Sequence, residues 1–218
     1  MRRSRPPAPP GGLRRSRWQT CEFVSLDFEA TGLDYERDRI ISFGTVPIRR
    51  ARIEVGESVY QLVDPGDVPP SPQSITVHGL RPIDLSGAPS FESARVALSR
   101  EIAGRFLVTW HAKVEASFLH KMYGGAPDAW MKRAVDVWKL VIALEGQEAM
   151  FLTLTEAAER FGVPVASPHH ALDDALVTAQ LFLVTASRMA ARGKGRVRDL
   201  VEAAPATPPV LVRPRAPM

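Results

Sequence analysis

The chain has 218 residues, 45% hydrophobic and 24% charged, ordinary proportions for one soluble domain with a sizeable core. Its single cysteine, Cys21, excludes an intrachain disulfide and fits a reducing compartment. No apolar run approaches the roughly 20 residues that span a bilayer, and the arginine-rich N-terminus lacks a hydrophobic signal stretch, so a cytoplasmic protein without membrane attachment is expected.

The net charge of +4 is unevenly spread. Residues 1–18 carry six arginines and no acid, residues 192–218 carry six basic residues against Asp199 and Glu202, and residues 19–191 keep a net charge of −6. Both ends are also proline-rich. Residues 1–19 and 192–218 therefore read as basic disordered tails around a folded domain at 20–191. Such tails suit sequence-independent contacts with phosphates, and compositional drift in an arginine- and proline-rich proteome explains them equally well.

Residues 21–28 read as a buried strand, with 39–47 and 51–63 as two more joined through the hairpin link Ile48-Arg49-Arg50. Pro65, Pro69, Pro70 and Pro72 mark a loop leading to a turn at His78-Gly79. A helix is predicted over 91–103, with Ser90 as N-cap and Gly104 as its stop. A short strand follows at 106–109, a helix at 112–123 ended by Gly124-Gly125, and a strand at 134–137 that runs into a helix through 144. Thr153-Leu154-Thr155-Glu156 forms a capping box for a helix that stops at Gly162-Val163-Pro164. A long helix over 170–190, apolar nearly all round, closes the domain. A meander of three strands followed by alternating strands and helices predicts an α/β fold, a mixed sheet of about five strands flanked by helices.

Two places carry candidate chemistry. Asp27 and Glu29 end the first strand and, one position apart, point to the same face while Phe28 points to the other. Two such carboxylates repel unless a cation lies between them; a solvated strand end is the alternative. Asp174 and Asp173 lie in the first turn of the long helix. An acid there is costly to bury unless paired or metal-bound, although the helix dipole offsets part of the cost. For Asp173 a simple capping role is sufficient.

These segments together resemble the DnaQ-like DEDDh 3′–5′ exonucleases. The family's D-x-E-T/A-T-G motif reads here Asp27-Phe28-Glu29-Ala30-Thr31-Gly32, and its H-x-A-L-x-D-A motif reads His169-His170-Ala171-Leu172-Asp173-Asp174-Ala175. Val77-His78-Gly79-Leu80, Ala88-Pro89-Ser90-Phe91 and the Asp136 step at the second strand-to-helix junction are similar to further family segments, in the family's order. The middle motif departs. Where the family has H-N-A-x-F-D-x-x-F-L, this chain has Trp110-His111-Ala112-Lys113-Val114-Glu115-Ala116-Ser117-Phe118-Leu119, which puts Glu115 in place of Asp. Glutamate is still a hard oxygen donor, one methylene longer; a solvent-facing helix residue is the other reading.

The resemblance implies a ribonuclease-H-like fold and a metal-dependent 3′–5′ exonuclease that releases nucleoside 5′-monophosphates from single-stranded DNA, of a proofreading or repair type. RNA-directed, oligoribonuclease-type trimming and a catalytically weakened nucleic-acid-binding module are the alternatives. It implies two divalent ions, Mg²⁺ or Mn²⁺, held by Asp27, Glu29, Glu115 and Asp174, with His169 as the catalytic base. Ala30, Thr31, Gly32 and Leu33 are implied to meet the 3′-terminal nucleotide, and Leu33 to wedge against the last base. His78 is read as a contact to that nucleotide or a turn-stabilising residue, and His111 as a phosphate contact or packing residue rather than a base. Nucleic-acid 3′ ends are the implied partners, and a DNA polymerase fits the same resemblance.

Overall fold

The computed structural model describes residues 12–203. In chain order the strands and α-helices are β1 (Glu22–Ala30), β2 (Ile40–Arg49), β3 (Arg52–Ile53), β4 (Val59–Leu62), α1 (Pro72–His78), α2 (Phe91–Ile102), β5 (Phe106–Thr109), α3 (Ala112–Tyr123), α4 (Pro127–Met131), β6 (Ala134–Asp136), α5 (Val137–Glu145), α6 (Leu154–Phe161), α7 (Ala171–Ala191) and α8 (Val197–Val201). They build one mixed sheet of order β3-β2-β1-β5-β6, with β4 also pairing β2. The β1–β2 pair is antiparallel, while β1–β5 and β5–β6 are parallel. The C-terminal ends of β1, β5 and β6 therefore open on one edge, as the expected mixed sheet flanked by helices requires.

Alternation along β1 divides the interior in two. Phe23 packs with Phe106 and Phe182 in the layer that holds α5, α6 and α7. Val24, Leu26 and Phe28 pack in the opposite layer with Leu98, Ile102, Phe118 and Leu119 of α2 and α3. β2 is buried along nearly its whole length because both of its faces are covered. Arg50 and Ala51 both have positive φ in the β2–β3 turn, the twist that a two-residue hairpin favours.

The expected strand over 51–63 is two short strands separated by a 3-10 turn at Val55–Glu57. The expected proline loop contains α1: Ser71 caps it by accepting the N–H of Ser74, Pro72 fills the first turn where no donor is needed, and Gly79 ends it in the left-handed region. The short helix α4 had no sequence signal beyond Pro127 at its start.

The ends also differ from expectation. Trp18 is 2% exposed and packs edge-on against Phe182. Val197 and Leu200 of α8 are buried in the same core cluster. Residues 12–19 and 192–203 thus belong to the packed unit, and a single tryptophan within an arginine-rich stretch was the only clue. The remainder of the two expected tails lies outside the described residues. Among the described residues, no helix is long and apolar enough to cross a membrane.

Candidate active site

Two elements that run in opposite directions meet at the open edge. β1 ends there with Asp27 and Glu29, and α7 begins there with Asp174 in its first turn. Asp27 pairs in register with Gly44 of β2, and a Cβ on Gly44 would overlap the Ala171 carbonyl and the Leu172 Cα. The missing side chain lets the first turn of α7 settle onto the sheet. Sequence reading missed this glycine, because its partner lies more than 120 residues away and no local turn marks it.

Carboxylate oxygens of Asp27, Glu29 and Asp174 come within 4.8 Å of one another. Glu115 lies close enough to Asp27 to raise its pKa, but it does not join that mutually close set. It is 4% exposed, with Oε2 buried and unpartnered, so the solvent-facing reading of Glu115 is wrong. None of these four carboxylates forms an ion pair with Lys or Arg among the described residues. A set of hard, close and uncompensated oxygen donors fits a divalent cation.

The electrostatics follow from that crowding. Burial, and then the charges of Glu115, Glu29 and Asp174, hold the Asp27 carboxyl well above its ordinary range. Burial and then Asp174 push Glu29 up to about 8. Burial pushes Glu115 up to about 8, with Asp136 adding to the rise, and burial raises Asp174 as well. Asp136, pushed up to about 6 by burial, stands behind Glu115 with its Oδ1 unpartnered and Lys139 at 3.8 Å from Oδ2.

These raised values have a signed consequence. Between the ordinary carboxylate range and about pH 8 the folded, metal-free protein binds more protons than the unfolded chain, so stability falls as pH rises through that window. We expect the metal-free Tm to drop by roughly 5 °C or more from pH 5 to pH 8. Added Mn²⁺ should raise Tm more at pH 8 than at pH 5. Differential scanning fluorimetry in EDTA and in Mn²⁺ checks both, and a Tm that rises through this window in EDTA would refute the account.

The histidines separate clearly. His169 is exposed, adopts φ 60°, and its backbone N–H donates to Asp174 Oδ2 at 3.0 Å. A non-glycine residue in this region is uncommon, and here the adjoining carboxylate holds it. His170 stacks on Tyr60 and faces Asp173 at 3.5 Å, so both lie outside the carboxylate set, as their variable motif positions suggested. His111 precedes α3 and sits against both Trp110 and Trp138, with ring centroids 5.6 and 5.0 Å away, and burial lowers its pKa. His78 Nδ1 accepts the N–H of Leu80 at 3.0 Å, which ties the histidine into the end of α1.

Beside Glu29 lies a cavity of about 370 Å³, walled by Ala30 at the end of β1 and Gly32 and Leu33 just after it, by Ser74, Val77 and His78 of α1, and by Val114 and Phe118 of α3. Leu33 is 74% exposed at its margin. Thr31 was expected to meet substrate, but it is 1% exposed and its polar groups are already engaged. Its hydroxyl donates to Asp38 and accepts from the Arg39 N–H, its own N–H reaches the Arg39 carbonyl, and its carbonyl accepts from Ser71. Thr31 therefore shapes the wall by tying β1 to α1. Gly32 has a related constraint: a Cβ there would overlap the Asp38 carboxylate and force that side chain to shift.

A family model described as exonuclease (RNase_T) matches residues 24–182. DNA polymerase III subunit epsilon of Treponema pallidum is 30% identical over 162 residues, covering 73% of this chain and 74% of the relative. The chain belongs to the DnaQ-like DEDDh exonucleases. Across 77% of its length the chain is also 29% identical to the PolC-type DNA polymerase III of Thermotoga petrophila, but it spans only 12% of that protein. In fold, the chain is similar to E. coli exonuclease I in complex with a dT13 oligonucleotide, with TM-score 0.67, 14% identity, and coverage of 79% of this chain and 42% of that one. It is also similar to the nuclease domain of 3′hExo, a DEDDh family member bound to rAMP, with TM-score 0.64, 20% identity, and coverage of 83% and 97%.

Proposed function

We propose that this exonuclease is metal-dependent and removes nucleoside 5′-monophosphates one at a time from the 3′ end of single-stranded DNA. The observation that carries the reading is the close carboxylate set of Asp27, Glu29 and Asp174 beside a cavity of about 370 Å³, a volume within the range of small-ligand pockets. Asp27, Glu29 and Asp174 would hold the divalent ions, two of them, Mg²⁺ or Mn²⁺, with Glu115 contributing next to Asp27. Bound there, such ions supply a nucleophile at neutral pH and neutralise charge at the phosphate and the departing 3′ oxygen.

The chain's own residues supply the rest. The apolar walls at Val77, Val114 and Phe118 take the terminal nucleoside out of water, and Leu33 lies where the last base meets the next one. His169, exposed beside Asp174, accepts the proton of the attacking water on its imidazole as the general base. Its tether to Asp174 leaves the ring free while fixing its backbone. RNA is the second reading, favoured by the structural likeness to 3′hExo bound to rAMP.

The test is incubation of 5′-labelled single-stranded DNA and RNA of one sequence with Mn²⁺, Mg²⁺ or EDTA, beside Asp174→Ala. A metal-dependent ladder shortening from the 3′ end, absent with the variant, is expected, and the faster substrate identifies the sugar preference. Folded protein that cleaves neither strand in Mn²⁺ would leave only a nucleic-acid-binding module.

A further inference from the structure

The N-terminal and C-terminal basic segments, nearly 180 residues apart in sequence, lie side by side. Trp18 anchors the first in the core, its backbone N–H donates to the Gly195 carbonyl at 3.1 Å, and the Val197 backbone N–H donates to the Ser16 carbonyl at 3.1 Å. Arg17 and Arg196 form an isolated antiparallel bridge between them. The pairing frames a hollow of about 410 Å³ lined by Arg15, Arg17, Gln19, Gly193, Gly195 and Arg196, with no acidic residue in its lining.

The charge in this hollow is not compensated. Arg15, Arg17 and Arg196 are exposed and form no ion pair among the described residues; Arg196 Nη1 donates only to the Arg15 carbonyl, at 3.5 Å. The two acids of the segment pair with other arginines, not with these three guanidiniums. Asp199 accepts from the Arg196 N–H and faces Arg198 at 3.4 Å, and Glu202 pairs with Arg14 at 3.1 Å. Three guanidiniums lining one hollow, none ion-paired among the described residues, suit the phosphates of a nucleic-acid strand.

The position of the hollow relative to the carboxylates gives it a role. β1 starts just after Trp18 and ends at the carboxylates; α7 starts at the carboxylates and ends at Ala191, just before Gly193. At about 1.5 Å per residue along α7, the two sites are roughly 25 Å apart. We infer that this arginine-lined groove is a second nucleic-acid site that holds the strand by its phosphates, well upstream of the 3′ end being cleaved. The inference rests on the exonuclease reading for the identity of the polyanion. At about 3.4 Å per stacked nucleotide, a strand needs on the order of eight nucleotides to occupy both sites.

The test is fluorescence anisotropy in EDTA, where no cleavage occurs, with 5-mer and 30-mer oligodeoxynucleotides, comparing the native chain with Arg15→Glu/Arg17→Glu/Arg196→Glu. The native chain should bind the 30-mer more tightly than the 5-mer. The variant should lose roughly tenfold or more for the 30-mer alone, with its salt slope reduced by about two. Arg15→Gln/Arg17→Gln should give a smaller loss of the same kind and serves if charge reversal disturbs the bridge. Equal binding of both lengths by the native chain, or full 30-mer affinity in the variants, would overturn the inference. So would a variant that loses binding only to phosphatidylserine vesicles, which would assign the groove to a membrane surface. Length-dependent binding without any cleavage in Mn²⁺ would sink the exonuclease reading and leave the groove standing.

Discussion

Asp27→Asn should abolish cleavage while making the metal-free protein more stable. Asp27 is half-buried and lies beside all three of the other carboxylates, and its raised pKa records the cost of keeping an acid desolvated next to Glu115, Glu29 and Asp174. Asparagine keeps the shape and removes the charge. At pH 8 in EDTA we expect a gain of about 1–4 kcal/mol, since each pKa unit by which the fold holds this carboxyl above its unfolded value, up to the working pH, costs about 1.4 kcal/mol. The same change removes a hard donor from the ion site, so activity should fall roughly a thousandfold and the Mn²⁺-induced rise in Tm should shrink or vanish. Opposite signs for stability and activity separate this account from one in which Asp27 merely supports the fold. Chemical denaturation in EDTA together with single-turnover cleavage in Mn²⁺ decides it; a variant that is less stable at pH 8 would contradict the electrostatic argument.

Gly44→Ala should damage both properties at once. The added Cβ meets backbone of the first turn of α7, at Ala171 and Leu172, and backbone cannot rotate out of the way as a side chain could. That turn carries Asp174, so its displacement separates the third carboxylate from Asp27 and Glu29. Overpacking of this kind costs about 1–3 kcal/mol. A misplacement of about 1 Å at a reacting centre costs roughly a hundredfold in rate. Gly56→Ala is the control, since no atom lies within 4 Å of a Cβ built there, and it should change stability by less than about 0.5 kcal/mol. Thermal melts and kcat for the two variants test the contrast. Normal activity and Tm in Gly44→Ala would show that α7 tolerates the shift and that this glycine does not set the site.

What could be read from the sequence was local. The spacing of Asp27 and Glu29 around Phe28 placed the two acids on one face of β1 and Phe28 on the other, and the structure keeps that arrangement. The Thr153–Glu156 capping box and the Ser90 cap start their helices as expected, because each involves residues three apart. The apolar run after Asp174 had to be a buried helix for the same reason, since its period lies within the segment. Everything that depends on two distant segments meeting was decided by the tertiary structure. The clearance at Gly44, the wall that α1 adds to the cavity, the use of the Thr31 hydroxyl on Asp38, and the position of Glu115 next to Asp27 outside the close set are of this kind. So is the arginine groove, where one buried tryptophan draws two basic segments together. Local periodicity and capping depend on neighbours within a few residues, whereas these contacts depend on how sheet and helices pack, and no window of sequence contains both partners.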